Sequence, residues 1–362
     1  MKPVAVICTF IAGTLFATLP TMGMAVEITK STCSKIGSVR VDADLKYRCT
    51  SISGKNKWVA TGPNIATPII ASSTNTNVSV SSLTLGQLIW SDEFTGKAGN
   101  GPDPAVWSSN LGNYSNSSIT INDPSLSTLD GTVKGLLNIT TKKINDPSLY
   151  NGMCSGGKFC QFRAGRISTR NLLTVKYGYI EARIKMPVGV GNWPAFWMLR
   201  DGNYDPKVST PGEIDVTEWY GRYPTKSWST LHFAADPADT KTATSSGTVA
   251  TQSKSLSDDF HIYAMAWLPN SITFLLDGAP VQTFTSDQIK TWPFNNFFFF
   301  ILNGGVGPQP NTIYGVTWDG WQESTMSVDW LRVWQLNGYG EVVKKTVPNM
   351  TPEQMLAQLS SK

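Results

Sequence analysis

Between Leu88 and Gln335 apolar and polar residues alternate with a period near two, and helical periodicity is nearly absent. The clearest run is Tyr179 to Met186, Tyr-Ile-Glu-Ala-Arg-Ile-Lys-Met, which puts Ile180, Ala182, Ile184 and Met186 on one face of a strand. Phe260–Leu268 and Ser271–Leu276 are two more strand-like runs joined by Pro269-Asn270, and Asp277-Gly278 turns the chain again. Ser327–Trp334 adds another. Phe297–Asn303 begins intensely apolar, but the run is too short to cross a bilayer and fits a buried strand. Many short strands at this spacing predict an all-β, two-sheet sandwich.

The two ends read differently. Residues 1–25 have the form of a secretory signal peptide: Lys2, an apolar run from Val4 to Leu19, then small residues around Gly23-Met24-Ala25. The mature chain is then expected outside the cell, with no membrane segment. Residues 26–60 form a small Cys-containing β module, and 61–85, rich in Ser, Thr, Asn, Ala and Pro, a linker. The large β domain occupies 86–337. Residues 338–362 are a tail with a short helix, signalled by Thr351-Pro352-Glu353-Gln354 ahead of Met355, Leu356 and Leu359.

Cysteine usage fits export. Cys8 leaves with the signal peptide, and Cys33, Cys49, Cys154 and Cys160 remain, an even number that suggests disulfides. Three pairings are open, and proximity favours Cys33–Cys49, stapling the small module, with Cys154–Cys160. With only two histidines, His232 and His261, a zinc enzyme is not expected.

Composition narrows the function. Apolar residues make up 41% of the 362 and charged residues 15%, enough for a large core. The net charge is +4, from 30 Lys and Arg against 26 Asp and Glu, without a basic run, so no nucleic-acid partner is expected. The 13 Trp and 11 Tyr point mildly toward sugar, since aromatic faces stack on pyranose rings, although large sandwiches also use Trp in their cores.

The chemistry is concentrated at residues 212–221, Gly-Glu-Ile-Asp-Val-Thr-Glu-Trp-Tyr-Gly. Glu213 and Asp215 share a strand face, whereas Glu218 falls on the other by parity. One β-bulge within Val216-Thr217 restores the parity and brings Glu218 round. The outer two acids are then about 13 Å apart along the strand, and leaning side chains can close this toward the ~5–5.5 Å of a retaining glycosidase. One Glu must be ionised to attack the anomeric carbon and the other protonated to release the leaving oxygen. Asp215 adds a like charge that disfavours loss of the last proton and can orient the nucleophile. A solvated acidic edge or a calcium site would show similar spacing, but calcium prefers a loop, and Ile214, Val216 and Trp219 indicate a packed strand.

This Glu-x-Asp-x-x-Glu strand resembles the bulged signature of glycoside hydrolase family 16, in its laminarinase-like (endo-β-1,3-glucanase) branch. Other segments agree in order: Trp90-Ser91-Asp92-Glu93-Phe94, Gly165-Arg166-Ile167-Ser168-Thr169, Tyr177 to Arg183, Trp193-Pro194-Ala195-Phe196-Trp197-Met198-Leu199, Thr230-Leu231-His232, Ile301-Leu302-Asn303 and Val328 to Val333. Together they span roughly residues 88–335. The resemblance implies a concave, concanavalin-like jelly roll with an open cleft, retention of configuration and internal cleavage of a polysaccharide. It implies Glu213 as nucleophile, Asp215 as assisting carboxylate and Glu218 as acid/base. Trp193, Trp197, His232, Arg166 and Asn303 match positions near the cleft. Trp219, on the opposite parity, is expected in the core. Catalysis would need no cofactor. Many members carry a structural calcium on the convex face, where Asp329 matches the acid and Glu93 lies near it.

One departure stands out. Where laminarinases carry an Asn-Asn-Glu-Leu-like segment, this chain has Gly112-Asn113-Tyr114-Ser115-Asn116-Ser117-Ser118, with no acid. The loop 151–161 with its two cysteines is a local elaboration. The leading expectation is a monomeric, secreted endo-glucanase cutting β-1,3 or β-1,3/1,4 links. A galactan hydrolase like an agarase or carrageenase, and a transglycosylase, are the alternatives within the family. A lectin-like glycan-binding protein is the alternative outside enzymes.

Overall fold

A computed structural model describes residues 34–35, 39–42, 45–52, 55–63, 83–109, 112, 119–146, 148, 154, 160–202, 212–236, 238–307 and 321–345. The expected signal peptide, Cys33 and its pairing, most of the linker, residues 113–118 and the expected C-terminal helix lie outside them. In the N-terminal module β1 (Val39–Asp42), β2 (Leu45–Ile52) and β3 (Lys55–Pro63) form an antiparallel meander. β3 runs three residues past the expected boundary because Pro63 still pairs with Leu45.

The large domain begins with β4 (Leu85–Asp92), β5 (Thr120–Asn122), β6 (Ser127–Leu129), β7 (Leu137–Lys143) and β8 (Phe162–Ala164). It continues through β9 (Arg166–Ser168), β10 (Leu173–Lys176), β11 (Gly178–Lys185), β12 (Ala195–Arg200), β13 (Glu213–Glu218), β14 (Lys226–Asp236) and β15 (Asp239–Thr251). β16 (His261–Leu268), β17 (Ser271–Leu276), β18 (Ala279–Thr285), β19 (Phe298–Asn303), β20 (Ser324–Leu336) and β21 (Glu341–Lys344) complete it.

These strands make two sheets. The site-bearing sheet runs β15-β14-β13-β12-β19-β10-β21, with β9 also pairing β19. The second runs β18-β17-β16-β11-β20-β7-β8-β5, with β4 on β20 and β6 on β7. This is the expected two-sheet jelly-roll sandwich. β21 corrects the expected tail: Glu341–Lys344 pairs antiparallel with Leu173–Lys176, and Lys345 Nζ donates to both carboxylate oxygens of Asp201 at 2.8 and 2.7 Å. Its charged ends, Glu341 and Lys344, flank two valines on a short edge strand, and such charges blunt the sheet margin.

The core lies between the sheets and is built by alternation. In β14, Leu231 and Phe233 point inward while Trp228, Thr230 and His232 point out. Phe196, Met198, Ile214, Val216, Phe298, Phe300 and Leu302 meet Ile180, Ile184, Met265, Trp267, Phe274, Val328 and Leu331 across the sandwich. Each such fully buried side chain stabilises the fold by about 1.5–3 kcal/mol before entropy is counted. Ile180 and Ile184 carry the period-two face read from the sequence. Cys154 and Cys160 are joined, S–S 2.08 Å, beside Ile121 and Ile144. Among the described residues no helix is long and apolar enough to cross a membrane.

Candidate active site

β13 is the third strand from the β15 edge of its sheet, so the carboxylates have sheet on both sides. Asp215 pairs with Trp197 and Thr217 with Phe196, leaving Val216 as an extra residue. Against β14 the same shift appears between Asp215 and Glu218, which face Thr230 and Trp228. The expected bulge is therefore present. Val216 and Thr217 are both buried on the core side, and Glu213, Asp215 and Glu218 share the outer face. The bulge is held from β14: Ser229 Oγ donates to the Val216 carbonyl at 2.8 Å, and Ser227 Oγ lies 2.8 Å from Thr217 Oγ1.

Burial dominates the electrostatics of the three acids. It raises Glu213 to about 8, helped by the Asp215 charge, eased by His232 and pushed again by Glu218. Asp215 is 3% exposed. Burial and then the Glu218 charge hold it well above the usual carboxylate range, while its hydrogen bond with Glu213 acts the other way. Glu218 is also raised by burial, against Trp193, His232 and Tyr220, which favour its charged form. Two carboxyls that hydrogen-bond to each other must share a proton, so Glu213 and Asp215 act as one unit.

Trp193 donates its Nε1–H to Glu218 Oε1 at 2.8 Å. Its backbone N–H donates to the Gly305 carbonyl at 2.9 Å, and Trp219 N–H donates to the Pro194 carbonyl at 3.1 Å, fixing this segment against β13. His232, the register partner of Glu213, places Nε2 2.9 Å from Asp215 Oδ2. The distance is that of an ion pair, but the angles are not those of a hydrogen bond, and Asp215 Oδ2 has no permanent donor.

Arg166, Trp197 and Asn303 come together on the same face. Arg166 and Asn303 are register partners, Trp197 Nε1 donates to Asn303 Oδ1 at 2.6 Å, and the Arg166 guanidinium lies 5.0 Å from the Trp197 ring centroid. The Arg166 guanidinium lies over one face of the Trp197 ring. Trp219 is fully buried in the core, as parity predicts.

Two aromatic neighbours of Glu218 were not anticipated from the sequence. Tyr220 stacks with Trp193 at 6.2 Å between centroids and meets Trp228 edge-on at 4.7 Å. Trp228 shares the parity of His232, four residues on, a signal that was there to use. Tyr220 follows the strand end, where parity no longer applies.

The sequence profile described as glycosyl hydrolases family 16 matches residues 113–332, well over half the chain. The chain belongs to glycosyl hydrolases family 16. It is 30% identical over 280 residues to the glucan endo-1,3-beta-glucosidase A1 of Niallia circulans, covering 68% of this chain and 38% of that protein. It is 34% identical over 196 residues to the glucan endo-1,3-beta-glucosidase of Cryptopygus antarcticus, covering 49% and 68%. The laminarinase catalytic domain from Thermotoga maritima superposes with a TM-score of 0.57 at 26% identity, covering 69% of this chain and 98% of that one. This family 16 chain thus spans well under half the length of the first of these relatives.

The calcium expected on the far face does not fit the residues matched to it. Glu93 accepts from Arg332 through both oxygens, at 3.0 and 2.8 Å, and Asp329 Oδ2 accepts from Arg183. Each acid is already neutralised by a guanidinium, a poor setting for a cation that wants six to eight oxygens.

Proposed function

We propose that this family 16 enzyme is a retaining endo-glycosidase acting on β-1,3 or β-1,3/1,4-glucan outside the cell. The observation that carries the reading is the bulged β13, which sets Glu213, Asp215 and Glu218 on one face with Trp193 bonded to Glu218. In the first step the Glu213 carboxylate attacks the anomeric carbon while Glu218 gives its proton to the departing glycosidic oxygen. Attack requires the shared proton to sit on Asp215, the most deeply buried of the three, from where it orients Glu213 and spreads its charge. In the second step Glu218 takes a proton from water, which attacks the glycosyl–Glu213 ester and restores the original configuration. β13 has sheet on both sides, so a glycan laid across the strands would pass the acids in each direction, which supports internal cleavage.

The test is hydrolysis of laminarin, lichenan, agarose, carrageenan and xyloglucan, followed by reducing ends and product size, beside Glu213→Gln and Glu218→Ala. Oligosaccharides from laminarin or lichenan that vanish with Glu213→Gln are expected. On an aryl glycoside, whose leaving group needs no proton, azide should rescue Glu218→Ala, giving a glycosyl azide of retained configuration. Release from agarose or carrageenan alone would move the substrate to galactans, and binding without cleavage would overturn the enzymatic reading.

A further inference from the structure

Asp215 Oδ2 is buried and makes no hydrogen bond, and its ion-pair neighbour is His232 Nε2. Such a group costs about 1–3 kcal/mol unless something compensates it. Around it stand Glu213 and His232, each offering one ligand atom. The three atoms lie within 4.8 Å of one another, and His232 Nε2 is 2.9 Å from Asp215 Oδ2. Ligands about 2.0–2.1 Å from a tetrahedral ion are about 3.4 Å apart, a spacing within reach of a cluster whose atoms all lie within 4.8 Å of one another. Small rotations of the half-buried Glu213 and His232 would reach it.

We propose that Glu213, Asp215 and His232 form a binding site for a divalent transition ion of the Zn2+ or Cu2+ type, and that the ion shuts the enzyme off by occupying its nucleophile. The donor set selects the ion. One imidazole and two carboxylates suit zinc and copper, whereas calcium needs six to eight oxygens and magnesium an oxygen octahedron. Glu218 stays outside the set, because Trp193 and Tyr220 already hold its carboxylate. The fourth ligand is a water from the cleft. The reaction itself uses no metal, so the ion inhibits, and a glycan seated over Glu213 excludes it. The binding claim stands apart from the choice of glucan as substrate.

Zinc and copper binding to the full-length protein would be measured by titration calorimetry near neutral pH, without substrate. Copper would also be examined for nitrogen hyperfine coupling by electron paramagnetic resonance. One saturable ion is expected whose affinity falls at least about tenfold in Asp215→Asn and in His232→Ala. His261→Ala, which changes the only other histidine, should leave it unchanged. Circular dichroism checks that each variant is folded. Where a cleavable glycan is in hand, zinc should raise its apparent KM and a chelator should restore the rate. Binding that persists unchanged in His232→Ala, or no saturable binding below millimolar ion, would overturn the proposal.

Discussion

Ser229 Oγ donates a 2.8 Å hydrogen bond to the Val216 carbonyl at the bulge that brings Glu218 onto the face of Glu213. A bulge leaves backbone groups without a strand partner, and a buried carbonyl must find one elsewhere. Replacing Ser229 by Ala is expected to cost about 1–2 kcal/mol in stability, read by urea unfolding. It should also lower kcat by about tenfold with KM nearly unchanged, because Glu218 loses its aim while the rest of the cleft stays. A variant that loses stability but keeps kcat would show that the bulge holds its shape without this bond.

The Trp193 bond to Glu218 favours the ionised carboxylate and opposes the rise that burial causes. Removing it in Trp193→Phe leaves burial less opposed, so Glu218 keeps its proton to higher pH. An acid/base must be protonated for the first step, and the alkaline limb of kcat/KM reports its loss. That limb should move to higher pH in the variant while the maximum falls. A limb that stays or moves to lower pH would exclude Glu218 as the proton donor that Trp193 tunes.

The sheets and the acid triad were legible because period two is a strong signal where one face is buried. Ile180, Ala182 and Ile184 announced β11, and the parity mismatch of Glu218 announced the bulge. The tail strand Glu341–Lys344 was not legible, since a short, polar edge strand has neither a buried face nor a long pattern. The cover of Arg166 over Trp197 was hidden for another reason. These residues sit on strands joined only through β19, and cross-strand register is not written in local sequence. The arginines that neutralise Glu93 and Asp329 were likewise invisible, because each pair bridges different strands.

Glu213 offers a thermodynamic test independent of catalysis. Its pKa is raised from 4.5 to about 8 by burial first and by Asp215 next. A carboxyl with a raised folded-state pKa adds stability that is fully present below its unfolded value. That stability is lost as pH rises through the folded value. The loss should therefore run from about pH 4.5 to about pH 8. Part of the rise comes from the neighbouring charges, so the share of one carboxyl is on the order of 2 kcal/mol. Glu213→Gln removes the titration and keeps the shape. Thermal unfolding across pH should find the variant equal to the parent in acid and more stable above pH 8. Equal pH profiles would mean that Glu213 is not desolvated in the free cleft.

Arg166, Trp197 and Asn303 form a chain in which the tryptophan carries the guanidinium on its ring and is fixed by the amide at its edge. If the guanidinium is the group presented to the glycan, Trp197 acts through Arg166. A double-mutant cycle separates this from two independent contacts. Arg166→Ala and Trp197→Leu should each raise KM with a smaller effect on kcat, since both concern binding away from the bond that breaks. Together they should lose less than the sum of the single losses in kcat/KM, with a coupling of about 0.5–1 kcal/mol. Additive losses would mean that Trp197 meets the sugar on its own account. Asn303→Ala, which frees the indole edge, should act in the same direction as Trp197→Leu and more weakly.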